Sequence, residues 1–230
     1  RRGDPIPSAE TEELWRLYAL SRICDLLQLR FQTGHADGSA WPGVPISLSE
    51  YEAFAESLGL VSSRPAAYSP FYHEVVEVEP ASRPMQPARV LEHMWPCLML
   101  GDMLFARAGV RVSAGERVVV QGVADSSTLY WAHRRKNRPY QDLSHGWGGN
   151  SQWRTAFRRD YRVGEALHYN VDGSRDLAGL ATDDGVGDDL SINERIELLT
   201  NRCFVITTKS HDDLWPYEDT LRVEHGRPGA

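Results

Sequence analysis

Leu14, Leu17, Tyr18, Ser21, Cys24, Leu27 and Phe31 recur at steps of three and four residues, a spacing that places them on one face of a helix. The pattern predicts a long helix over 9–33 whose apolar stripe needs a second layer to cover it. Ser8 is the expected N-cap, with Glu10, Glu12 and Glu13 in the first turn, and Gly34 is a natural stop. A loop rich in glycine and proline follows to Pro45. A second helix is expected over 49–58, opened by the capping box Ser49-Glu50-Tyr51-Glu52 and closed by Gly59. Its buried stripe is Tyr51, Phe54, Ala55 and Leu58.

The middle of the chain changes character. Residues 71–79 alternate as a strand, with Tyr72, Glu74, Val76 and Val78 on one face. Pro80, Pro84 and Pro87 mark a connection, after which a short helix is expected over 87–95. Residues 97–106, 109–112, 116–123 and 128–134 all favour strands, the last two joined as a hairpin by Ala124-Asp125-Ser126-Ser127. Asn150 or Ser151 caps an expected helix running to Tyr161. A strand over 164–171, a Gly- and Asp-rich loop over 173–189 and a helix opened by Ser191-Ile192-Asn193-Glu194 follow. Strands over 202–208 and 220–224 complete the reading. There is no internal repeat, and the order of elements is not regular βαβ. The expectation is therefore α+β, with a mixed or antiparallel central sheet and the N-terminal helices packed on it. Residues 1–230 read as a single domain: a helical part (1–60), a strand-rich core (71–170) and an acidic C-terminal part (171–230).

Composition narrows the class. At 41% hydrophobic, a chain of 230 residues can bury a core. No stretch of eighteen apolar residues occurs, and Asp102 interrupts the most apolar run, so no membrane span is expected. The first residues show no apolar leader. Three dispersed cysteines, Cys24, Cys97 and Cys203, fit buried thiols in a reducing cytoplasm rather than disulfides or zinc. Basic residues that are nearly all arginine suggest a GC-rich bacterial source. The net charge of −7 conceals an asymmetry: arginines crowd residues 130–164, and acids dominate from Asp172 onward. The two regions facing each other is the simplest explanation; an anion or acidic partner on the basic region is the sharper one.

The chemistry-bearing residues concentrate in 145–161, a run of glycines, aromatics, arginines, a histidine and an acid. Glycines before a helix N-terminus allow close approach of an anion. Trp147, Asn150, Trp153, Arg154 and Arg158 are the candidate ligand-binding residues, the arginines through bidentate contacts. No recognised nucleotide loop is present. A catalytic arrangement would use His145, or His168, as general base and Asp160 as the orienting acid. Trp215 and Tyr217, flanked by acids, are candidate partner anchors. The basic run 134–138 lies near aromatics, but the chain is acidic (pI near 5.6) and lacks any nucleic-acid signature, which disfavours nucleic acid. The loop from Asp183 to Glu194 has glycines where a calcium hand needs acids, so neither metal nor cofactor is expected.

These features favour a binding protein of accessory or bacterial immunity type. It would recognise a protein partner or anionic small molecule through 145–161. The alternative is an enzyme acting on an anionic, phosphorylated substrate with the same residues.

Overall fold

The structure, a computed structural model, describes residues 6–34, 41–139, 156–180, 190–209 and 214–224. Helix α1 spans Thr11–Gln28 and runs on into a 3-10 turn over Leu29–Phe31. Its cap is Glu10, not Ser8: the Glu10 backbone N–H donates to Glu13 Oε2 at 2.9 Å, and the Glu10 carboxylate accepts from the Glu13 backbone in return. Helix α2 spans Leu48–Ser57, with its capping box two residues earlier than expected, between Ser47 and Glu50. Glu52, the acid expected in that box, instead pairs with Arg64 at 2.9 Å.

The strands are β1 (Val61–Ser63), β2 (His73–Pro80), β3 (Arg89–Trp95), β4 (Cys97–Leu100), β5 (Met103–Ala106), β6 (Ala108–Ala114), β7 (Asp160–Val163), β8 (Ala166–Tyr169), β9 (Arg175–Asp176) and β10 (Asp219–Glu224). Helix α3 (Ile192–Asn201) carries the expected box between Ser191 and Glu194. One sheet runs β1-β4-β5-β7-β8-β10-β9, antiparallel except where β9 joins β10. A second, β2-β6-β3, is mixed: β2 is parallel to β6 and β3 antiparallel to it. The fold is thus α+β with mixed sheets, as expected. Tyr51, Ala55 and Cys24 of the N-terminal helices pack against Leu98, Met103 and Phe105 of β4 and β5. A larger core joins the second sheet to α3 and β8. Among the described residues no helix is long and apolar enough to cross a membrane.

Several local expectations are overturned, each by longer-range bonding. Residues 97–106 are not one strand but the β4–β5 hairpin, turned at Gly101, whose φ of +59° suits glycine. Residues 89–95 are strand, not helix: Trp95 donates its indole N–H to the Arg107 carbonyl at 2.9 Å, and its ring lies against Gly109, where a Cβ would come within 2.3 Å. Pairing with β6 overrides the weak helical preference. Residues 116–134 make turns rather than a hairpin, because their amides bond elsewhere: Val120 N–H donates to the Val205 carbonyl at 2.7 Å and Tyr130 N–H to that of Arg202 at 2.9 Å. Residues 202–208 form no strand either. The N–H groups of Val205, Ile206 and Thr207 all converge on one carboxylate oxygen of Glu197. On the alternating faces of β2, a bulge between Val75 and Glu77 resets the register, so Val75 and Val78 share the core. The helix expected to reach Tyr161 is absent over its described part: Asp160 and Tyr161 already belong to β7.

Arg135, Arg138, Arg158 and Arg159 turn inward. Arg138 is 1% exposed, and its guanidinium donates to the carbonyls of Ser127, Val75 and Ala124. With Asn137, which donates to the Val76 carbonyl, it covers the outer edge of β2. Arg159 pairs with Asp172, as the charge asymmetry suggested, and Arg175 and Arg195 pair with Asp219. Arg135 finds its acids in the N-terminal half instead: Glu74 in β2 and Asp25 in α1.

Candidate functional site

Asp160, the first residue of β7, is completely buried and stands at the centre of three arginines. Arg158, two residues earlier in the same extended segment, donates Nε to Asp160 Oδ1 at 2.8 Å. Arg107 is the single residue between β5 and β6, and its Nη2 lies 3.8 Å from Asp160 Oδ2. Arg202 caps the C-terminus of α3, with Nη2 at 3.7 Å from the same oxygen. Among the described residues one carboxylate therefore serves three guanidinium groups, leaving two positive charges unmatched.

The three arginines are not equally satisfied. Arg158 donates from every nitrogen: Nε to Asp160, Nη1 to the Tyr130 hydroxyl and Nη2 to the Leu199 carbonyl at 2.6 Å. Arg107, 4% exposed, donates Nη2 to the Thr200 carbonyl at 2.8 Å, while its Nε and Nη1 have no acceptor. Arg202 Nε also has none. Burial and the neighbouring Arg107 and Arg158 charges push Arg202 down to about 9, so it remains a cation at neutral pH. Burial and Arg158 lower Arg107 too. For Asp160, burial opposes ionisation, but Arg158, Arg202 and Arg107 more than offset it and hold the carboxyl below its usual range.

Arg107, Arg158 and Arg202 line a cavity of about 30 Å³ beneath α1, together with Ser21, Cys24, Gln28, Phe105, Phe157 and Trp131. Asp25, Glu74 and Arg135 complete its wall, two carboxylates on one guanidinium, with Arg22 beside Asp25 as the second cation. Arg135 holds both oxygens of Glu74, at 2.7 and 2.9 Å, and Oδ1 of Asp25 at 2.8 Å. The remaining Asp25 oxygen accepts from the His133 N–H at 2.9 Å and lies 3.6 Å from Arg22. This second cluster consumes its own charge and cannot neutralise the first.

Backbone strain gathers here as well. Trp131, Asn170 and Arg202, with φ of 62°, 49° and 64°, are the non-glycine residues in left-handed conformation among the described residues. Each touches the site. Trp131 lines the cavity and donates its indole N–H to the Ala156 carbonyl at 3.0 Å. The Asn170 N–H donates to Asp160 Oδ1 at 2.7 Å. Such conformations cost about 1–3 kcal/mol each and persist where the surroundings over-determine them, which is characteristic of binding and catalytic sites.

Four of the residues singled out in the sequence meet at this place. Arg158 lies 5.2 Å from the Tyr130 ring centroid. Trp215 stacks on that ring at 5.2 Å, and Tyr217 packs edge-on to both Tyr130 and Trp131. Trp215 and Tyr217 are thus half-buried and brace the tyrosine that holds Arg158. Arg158 is a buried ion-pair member rather than an exposed clamp. Asp160 stays charged and does not line the cavity. His145, Trp147, Asn150, Trp153 and Arg154 lie outside the described residues. His168 is elsewhere, on a surface depression beside Arg159 and Asp172, with its pKa lowered by burial and then by Arg222.

Arg107, Arg202, Tyr130 and the Asp25–Arg135–Glu74 set were not anticipated. Two had a legible signal. Arg107 interrupts the apolar run Phe105-Ala106-Arg107-Ala108-Gly109-Val110, and Asp25 sits beside Cys24 at the stripe of α1. A lone charge among core residues is informative. A more open groove of about 700 Å³ lies between Tyr68, Tyr72, Arg64 and Arg162, but its cations have acids nearby: Arg64 pairs with Glu52, and Arg162, which donates to the Tyr72 hydroxyl at 3.2 Å, is under the influence of Glu165 and Asp102. No family model matches the chain, and neither does any curated protein or any solved structure.

Proposed function

We propose that this protein binds a small anionic ligand in the cavity beneath α1, with Arg107 and Arg202 as the charged receptors and Arg158 holding Asp160 behind them. The observation that carries the reading is the pair of unmatched buried charges. Burying a cation without a counter-charge costs several kcal/mol, so a fold that keeps two has a strong thermodynamic reason to take up an anion. The strained Trp131 and Arg202 in the same wall support it.

Binding is favoured over catalysis by the state of the reactive groups. Burial pushes the thiol of Cys24, the nucleophile in the cavity wall, up to about 12. Asp160 is held as a carboxylate by its arginines and is a weak base at neutral pH. Because the wall is largely buried, the reading is of a free small anion rather than of a partner's side chain. An intracellular accessory role, in which the anion sets the stability or shape of the protein, is consistent with it.

The test is isothermal titration of dialysed protein with formate, chloride and sulfate, in parallel with Arg107→Met. Uptake of at least one anion by the native protein, weakened about tenfold or more in Arg107→Met, is expected. No anion bound by the native protein above the level of the variant refutes the reading.

A further inference from the structure

Cavity size and donor placement together select among anions, an inference that rests on the binding reading above. A water position needs roughly 10–15 Å³ of such space. The cavity's volume of about 30 Å³ therefore accommodates two or three non-hydrogen atoms. A tetrahedral oxyanion such as phosphate or sulfate has five and does not fit without displacing the wall. That wall is stiff: Phe157 stacks on Phe105 at 5.3 Å, and Arg135 is locked between Glu74 and Asp25.

The unmatched donors come from two different side chains, Nε and Nη1 of Arg107 and Nε of Arg202. An acceptor with two oxygens answers donors from two sides, whereas a single halide satisfies them less completely. Guanidinium and carboxylate are matched in charge and hydrogen-bond geometry. The two carboxylates in the wall, Asp25 and Glu74, are both held by Arg135, and Asp160 lies outside the wall. The apolar Phe105 and Phe157 in the wall tolerate a C–H group but would leave further polar atoms unsatisfied.

The geometry points to a one-carbon monocarboxylate, formate, as the ligand of the Arg107–Arg202 cavity. Native protein, two variants and four probes test it: the native chain, Arg107→Met, and Arg64→Met as a control in the open groove, each titrated with formate, acetate, chloride and sulfate in dialysed buffer at constant ionic strength. Formate binding about tenfold or more tighter than acetate, sulfate and chloride, lost in Arg107→Met and retained in Arg64→Met, is the expected result, and acetate bound as tightly as formate overturns the size limit. Chloride or sulfate binding as tightly as formate, with the same dependence on Arg107, overturns the carboxylate assignment while leaving anion binding in place. Carboxylate binding that survives Arg107→Met overturns the site. Absence of any binding refutes the parent reading, and the circular dichroism of each variant distinguishes that from misfolding.

Discussion

Replacing Asp160 by asparagine is expected to destabilise the protein far more than replacing Arg107 by methionine, although both side chains are buried. Asparagine keeps the Oδ1 acceptor used by the Asn170 and Arg158 donors and removes only the charge. At an effective dielectric constant of about 20, a carboxylate and a guanidinium roughly 4 Å apart attract by about 4 kcal/mol before desolvation is subtracted. Three guanidinium groups surround Asp160. Losses on breaking a buried pair are about 3–5 kcal/mol, and that is the expected cost of Asp160→Asn. Arg107→Met behaves differently. It loses one hydrogen bond, to the Thr200 carbonyl, worth about 1 kcal/mol. It also removes a cation repelled by Arg158 and Arg202 while keeping most of the packed stem. The net change expected is within about 1 kcal/mol of zero. Urea unfolding followed by tryptophan fluorescence reads both. With a slope of about 3 kcal/mol/M, Asp160→Asn lowers the midpoint by about 1 to 1.7 M, and Arg107→Met leaves it nearly unchanged. In the double variant part of the Asp160→Asn loss is recovered, since one of the orphaned cations is gone. If Arg107→Met costs as much as Asp160→Asn, the charge of Arg107 is balanced within the protein and the surplus on which the functional reading stands does not exist.

Three further outcomes follow from the same structure. Glu197→Ala removes the oxygen that accepts the N–H groups of Val205, Ile206 and Thr207; a loss of about 2–4 kcal/mol and faster amide exchange at those three positions are expected, and unchanged exchange would show that the carboxylate does not shape the segment. Burial lowers His73, His93, His133 and His168 below the ordinary value of 6.5, so the unfolded chain takes up protons first. Their contribution is complete above about pH 6.5 and is lost as pH falls through the lower folded values; a melting temperature that is level from pH 7.5 to 7 and declines toward pH 5 is expected, and a rise on acidification contradicts it. Cys24 and Cys97 are buried and pushed up to about 12, and Cys203 is raised by burial as well, so a thiol reagent at pH 8 should label none of the three in the native state and all of them in denaturant.

What the chain revealed before folding was considered is what a few neighbouring residues decide. The box at Ser191–Glu194 was read correctly because a cap is completed within four residues. The class followed from periodicity, and the burial of the three cysteines from their apolar neighbours. Where local preference met distant bonding, the distant bonding won. Residues 116–134 and 202–208 have β-forming composition, yet amides of the first donate to carbonyls of Val205 and Arg202, and those of Val205, Ile206 and Thr207 go to Glu197. Arg158, near the end of the basic, aromatic stretch, and the Trp215–Tyr217 pair do meet, around Tyr130. The fate of each arginine was not legible, because Arg135, Arg158 and Arg159 carry the same side chain in nearly the same composition. Only the tertiary structure gives Arg135 two carboxylates and leaves Arg107, Arg158 and Arg202 one to share. The physical reason is range: capping and periodicity act over a turn of backbone, whereas the balance of a buried charge depends on which carboxylates the whole fold brings within about 4 Å in a medium too poor in water to screen the remainder.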